Sequence, residues 1–172
     1  MNTFTKANIE ADPTVPIIRI TRDFAATPAQ LMRAHTDPDL FAQWIGTTNV
    51  NTRIDYWDAR SGGSWRFINF RDDGEFAFHG CFHEIGPNRI VQTFTYEGMP
   101  EGVSLETLAF EPIDETHTRL IAQSLVDSFE GRDAWLSSGM ETGMHDGYAA
   151  PDGLLPRTAD RRPSALMLGV GA

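Results

Sequence analysis

The 172-residue chain is 41% hydrophobic and 22% charged, with a formal net charge of −10. Its length and composition suit one globular domain with a real core. The acidic balance argues against a nucleic-acid backbone or an anionic membrane as partner, because both repel a negative surface.

Lys6 is the only lysine, which excludes Schiff-base chemistry on an internal lysine and a P-loop lysine. Cys81 is the only cysteine, so no intramolecular disulfide can form and nothing indicates an oxidising compartment. Residues 1–13 are polar, lack the pattern of a secretory signal, and are expected to be flexible. No apolar run is long enough to span a bilayer, and the expectation is a cytoplasmic protein.

Residues 15–24 place Val15, Ile17, Ile18, Ile20 and Phe24 among charged neighbours and read as a strand. Thr27-Pro28 supplies a cap and a proline at the first helical position, followed by Leu31, Met32 and Ala34. Asp37-Pro38 repeats that start signal, and Leu40, Phe41, Trp44 and Ile45 form one stripe of a second short helix ending at Gly46. The period then changes to two, and six further strands are predicted over residues 49–57, 64–70, 76–85, 89–96, 103–111 and 118–124. Short turns between them make neighbours antiparallel, so with the first strand the expectation is one seven-stranded sheet. Residues 130–155 return to a helical pattern, with Gly139, Gly143 and Gly147 forming a smooth ridge and Pro151 marking a kink. Residues 156–172 have no clear period and are expected to be a mobile tail in which Arg157, Arg161 and Arg162 are solvated.

The segment Asp58-Ala-Arg-Ser-Gly-Gly-Ser-Trp-Arg-Phe67 is the most informative part of the chain. Gly62 and Gly63 accept the positive φ that a tight reversal needs, and Trp65 and Phe67 fall on one face of the outgoing strand.

With that segment stand other words in order: Thr36-Asp37-Pro38 to Gln43-Trp44-Ile45-Gly46, then Phe78-His79-Gly80, then Pro87-Asn88-Arg89-Ile90-Val91 with Thr93. Thr118-Arg119-Leu120 follows, and last comes Ser138-Gly139-Met140-Glu141-Thr142-Gly143-Met144 leading to Gly153-Leu154-Leu155. Together they resemble the helix-grip fold of the START-like (SRPBCC) superfamily. The narrower resemblance is to the branch named after the activator of heat-shock-protein-90 ATPase. It covers residues 14–155 as one α+β domain. The resemblance implies a curved antiparallel sheet wrapped on a long C-terminal helix, with a cavity between them. Relatives with this fold bind lipids, hormones or polyketides, some act as cyclases and some assist a chaperone in stress responses. Pro151 and the tail depart from the family pattern.

The functional expectation is an apolar pocket for a small hydrophobic or aromatic molecule, without catalysis. Its candidate wall is Trp65, Phe67, Phe78, Phe82, Phe94, Tyr96, Leu108 and Phe110 from the strands, with Met140, Met144 and Tyr148 from the helix. Trp44 is a packing anchor that would also reach the pocket mouth. Glu84, Glu106 and His145 are the polar candidates on parity, each weighed against a solvent-facing side chain or a pairing with Arg66 or Arg119. Strand-spaced aromatics equally well fill a core.

His79-Cys81-His83 share one strand face and could offer two ligands to zinc, but the outer pair is too far apart to chelate one ion. They are therefore read as an outer, solvated row, and no metal or other cofactor is expected. No Gly-x-Ser-x-Gly elbow is present, and Asp37 is read as a helix cap. A chaperone-linked module and a pocket enzyme of the cyclase or hydrolase kind, acting through Glu84, Glu106 or His145, are the alternatives. A second copy of the chain stays open as a partner.

Overall fold

In β2 (Ile17–Phe24) the side chains alternate strictly, and Ile18, Ile20, Arg22 and Phe24 are the buried set. In the computed structural model, which describes residues 7–45 and 50–138, this strand lies second from one edge of the sheet. Two short helices follow, each started by the residues that the sequence marks. For α1 (Pro28–Thr36), Thr27 Oγ1 accepts from the Gln30 amide at 3.3 Å while Gln30 Oε1 accepts from the Thr27 amide at 2.8 Å. This reciprocal capping box satisfies two end donors at once. For α2 (Pro38–Trp44), Asp37 Oδ1 accepts from the amides of Asp39 and Leu40 at 3.0 and 3.2 Å, so Asp37 is a cap.

The remaining strands are β3 (Asn51–Trp57), β4 (Ser64–Arg71), β5 (Gly74–Ile85), β6 (Arg89–Tyr96), β7 (Val103–Pro112) and β8 (Thr118–Leu125). With an edge strand β1 (Asn8–Ala11), all pair antiparallel in the order β1-β2-β8-β7-β6-β5-β4-β3. The expected strand count of seven is thereby corrected to eight. The extra strand is β1 (Asn8–Ala11), from the stretch expected to be flexible, which pairs with Ile18–Thr21 of β2. Only Ile9 of β1 packs on the core, so the strand carries almost no apolar signal of its own. Among the described residues the C-terminal helix is short: α3 (Phe129–Ser137), capped by Ser128 Oγ on the Gly131 amide at 3.0 Å. The rest of the expected long helix, with Met140, Met144, His145 and Tyr148, and the tail lie outside the described residues.

Cross-strand partners share a face, so the register sorts every side chain. The inner face carries Ile18, Ser124, Glu106, Gln92 and Phe82 in one row. The next row runs Ser104, Phe94, Gly80, Trp65 and Trp57. The outer face carries Arg66, His79 and Thr95. Helices α1 and α2 pack on the inner face, where Phe41 meets Trp57 at 4.6 Å and Phe67 at 5.2 Å between ring centroids. Trp135 and Leu136 of α3 also pack against this core.

The Gly62-Gly63 reversal is stitched to its neighbour as well as to itself. Gly62 takes φ of 84°, and its amide donates to Phe82 O at 2.8 Å, while the Phe82 amide donates to Gly63 O at 2.8 Å. The outgoing strand then lays Trp65 across Gly80 of β5. A Cβ at residue 80 would stand 2.0 Å from Thr93 O and 2.5 Å from the Trp65 ring, so only glycine leaves room for the indole.

His35 is buried between Trp44 and Phe110, with ring centroids 4.8 and 5.1 Å away. Its Nδ1 lies 2.8 Å from Leu31 O, which can only accept, so Nδ1 carries a proton. Burial lowers its pKa from 6.5 to about 4, against a smaller opposite pull from the Leu31 carbonyl.

Two expected outcomes follow from this packing. Gly80→Ala forces a backbone carbonyl and a fully buried indole apart and lowers stability by about 2–3 kcal/mol, read by denaturant unfolding. For His35 the unfolded chain binds the proton more readily than the folded one. Stability is therefore flat above its unfolded pKa and falls as pH drops from about 6.5 to about 4, by about 3 kcal/mol. In His35→Phe that component is missing from the difference between the two stability–pH curves.

Candidate functional site

Most of the inner face is sealed. Trp65, Phe67, Phe82, Ile90, Leu108 and Phe110 are buried by the helices and by one another. One contiguous stretch is only half-buried. Gln92, Phe94 and Tyr96 are successive inward positions of β6, with Glu106 opposite Gln92 on β7 and Phe78 opposite Tyr96 on β5. Alternation puts these five side chains on one face, and the register puts them side by side. Phe94 lies 5.2 Å from Trp65 and 5.4 Å from Phe78, and Phe78 lies 5.3 Å from Tyr96, all with tilted rings. The patch is thus an aromatic wall continuous with the core but not covered to the same depth.

Its polar end is Glu106. Oε2 accepts from Gln92 Nε2 at 3.1 Å and Oε1 from Ser124 Oγ at 3.4 Å. Removal from water pushes the Glu106 carboxyl above the usual range, and the two hydrogen bonds only partly oppose this. Its linkage has the opposite sign to that of His35. A raised folded pKa favours the folded state as pH falls through it. No described arginine or histidine forms an ion pair with Glu106. The arrangement can accept hydrogen bonds, and in its protonated form it can donate one.

The expected site residues therefore divide. Phe78, Phe94, Tyr96 and Glu106 come together on the half-buried patch. Trp65, Phe67, Phe82, Leu108 and Phe110 back it from within the core. Trp44 is 6% exposed and its Nε1 donates to Ala34 O at 2.8 Å, which makes it an anchor between the two helices. Glu84 does not belong to the site. The β5–β6 register shifts between Phe82 and Glu84, so Glu84 pairs with outward-facing Val91 and its Oε2 accepts from Arg89 Nη1 at 2.7 Å. A bulge of one residue at His83 reverses the strict alternation on which its inward placement rested. Met140, Met144, His145 and Tyr148 lie outside the described residues.

The outer row is a charge network. Arg66 donates through Nε and Nη2 to Glu97 at 2.7 and 2.8 Å and also bonds Asp55, while His79 Nδ1 lies 3.1 Å from Glu97 Oε1. Arg66, then His79, hold the Glu97 carboxyl down at about 2. Cys81 and His83 are exposed, and among the described residues no group of three or more His, Cys, Asp or Glu side chains comes together. Arg119 pairs with Asp23 at 2.7 Å, so neither Arg66 nor Arg119 serves Glu84 or Glu106.

Gln92, Ser104, Ser124 and buried Arg22 are inward polar residues that the sequence reading does not single out. Each sits at an even position among inward apolar residues of its strand, so the same parity that found Glu106 points to them.

The model of the family described as Activator of Hsp90 ATPase homolog 1-like protein matches residues 25–150. No curated protein matches the chain. Among solved structures, a Rhodobacter sphaeroides protein is 27% identical and superposes with a TM-score of 0.78, over 87% of this chain and 98% of that one. Protein Ms6760 of Mycobacterium smegmatis is 20% identical with a TM-score of 0.79, over 90% and 100% of the two chains. An Arthrobacter aurescens protein is 22% identical with a TM-score of 0.78, over 91% and 96%. These likenesses agree with the sheet, the paired short helices and the helix-grip, START-like architecture. With the family model matching well over half its length, the chain belongs to the Activator of Hsp90 ATPase homolog 1-like family.

Proposed function

We propose that the protein binds a small apolar or aromatic molecule between the inner face of the sheet and the C-terminal helix, without reacting with it. The observation that carries this reading is the half-buried run of Phe78, Phe94 and Tyr96 beside fully buried Trp65 and Phe67. Aromatics that only fill a core would be covered as deeply as their neighbours. A wall of aromatics with one polar end is the usual composition of a small-molecule site, where few polar groups set orientation. Burying about 200 Å² of apolar ligand surface contributes roughly 5 kcal/mol before the entropy of association is subtracted. The exposed free thiol of Cys81 suits the reducing cytoplasm.

Absence of catalysis is the simpler reading of the same face. Among the described residues Ser124 and Ser104 have no histidine beside them: His35 lies within α1, His79 bonds Glu97, His83 is exposed on the far face and His117 bonds Asp114. A pocket enzyme would have to work through Glu106. A chaperone-linked role is the second reading. The family description favours it, as does the outward apolar row of Ile17, Leu125 and Leu105, of which Leu125 and Leu105 are exposed.

A neutral naphthyl probe titrated into the protein is expected to bind saturably and to change tryptophan fluorescence through Trp65. Native mass spectrometry of the purified protein is expected to show a retained small molecule. Phe94→Ala weakens the probe by about tenfold through lost ring contact, whereas Leu105→Ser on the outer face leaves it unchanged. No saturable binding, together with no retained mass, would remove this reading. Loss of binding on Leu105→Ser alone would move the site to the other face.

A further inference from the structure

The chemistry at the polar end of the patch says what kind of molecule fits it, and the inference rests on the ligand-binding reading above. We propose that the ligand is an organic amine, its ammonium group held by the Glu106 carboxylate and the Gln92 amide oxygen while its apolar body lies on Phe94 and Phe78.

Hydrogen-bonding capacity is the first ground. A carboxylate offers about four lone-pair positions, and Glu106 receives two bonds, from Gln92 and Ser124. Because the carboxylate accepts, the Gln92 amide must present its NH2 to Glu106, and its carbonyl oxygen is left as a further acceptor. Ser104 is already engaged with Phe94 O at 3.3 Å. With Glu106 ionised, what remains at this end of the patch is a set of acceptors, and its complement is a group with several donors.

Charge is the second ground. A carboxylate taken from water needs a proton or a cation beside it. The other well-placed carboxylates have one: Glu97 has Arg66, Asp23 has Arg119 and Glu84 has Arg89. Among the described residues Glu106 has no cation beside it, and an ammonium group is the complement of its ionised form. Anionic ligands are disfavoured for the same reason, and beside a neutral ligand Glu106 is drawn to its protonated form instead.

The ring faces are the third ground. Phe94 follows Gln92 at the next inward position, with Trp65 and Phe78 within 5.4 Å of it. Aromatic faces attract a cation more strongly when water is displaced. The net charge of −10 adds a long-range field that concentrates cations at the surface.

Calorimetric titration of the full chain with 2-(1-naphthyl)ethylamine, 2-(1-naphthyl)ethanol and 1-naphthaleneacetate at neutral pH tests this. The amine is expected to bind at least about tenfold more tightly than the alcohol, as a charge-assisted bond implies, and the carboxylate more weakly than either. Glu106→Gln is expected to abolish the difference between amine and alcohol. Gln92→Leu removes one acceptor and the bond that aims Glu106, and narrows the same difference independently. Equal binding of amine and alcohol to the unaltered protein would overturn the amine assignment and leave the apolar site standing. A preference for the amine that survives both substitutions would overturn the role of Glu106 and Gln92. Binding of none of the three would remove the site itself.

Discussion

The placement of Trp65 across Gly80 is the contact on which the rest of the inner face depends. It requires a backbone with no side chain at residue 80, and a hairpin that delivers Trp65 at the right height. Gly62 and Gly63 supply the second condition, since their loop shares two backbone hydrogen bonds with Phe82. Three strands are thereby locked in one register by a few short-range constraints. Phe67 stacks on Trp65 at 5.5 Å, Phe78 on Phe67 at 5.1 Å, and Phe94 closes the group from β6. A register slip of one residue would turn all of these rings to the far face.

The same register separates two kinds of electrostatics. On the outer face the carboxylates are satisfied by arginines in water-accessible pairs, which contribute little to stability individually. On the inner face the charged or chargeable groups are few and each is exceptional. Burial disfavours a second proton on His35, and the same cause pulls Glu106 towards its neutral form. His35 is enclosed on all sides by packing. Glu106 stands at the border of the half-buried patch, where a ligand could complete its surroundings.

The sequence made much of this legible because turns and caps are local. Thr27-Pro28, Asp37-Pro38 and Gly62-Gly63 mark boundaries that the structure keeps, and period-two parity on β4, β6 and β8 sorts Trp65, Phe67, Phe94 and Leu120 inward. What was not legible arose from tertiary context. Asn8–Ala11 is a strand because β2 offers it an edge, not because its residues alternate. Glu84 points outward because one extra residue at His83 interrupts the count, and no turn residue announces it. The depth to which each aromatic is covered also escapes a periodic reading. Period two assigns a face, and only packing decides that Phe82 is sealed while Phe94 is not.

The family and the fold together leave the activity open, because one architecture serves many sites. The half-buried wall on β5, β6 and β7 is the proposed binding surface. Its most direct test is a two-dimensional NMR titration of the protein with a neutral naphthyl ligand. The account expects the perturbed amides to cluster at Gln92–Tyr96, at Ser104–Glu106 and around Phe78. Perturbations confined to the outer row near Leu105 and Leu125, or none at saturating ligand, would contradict it.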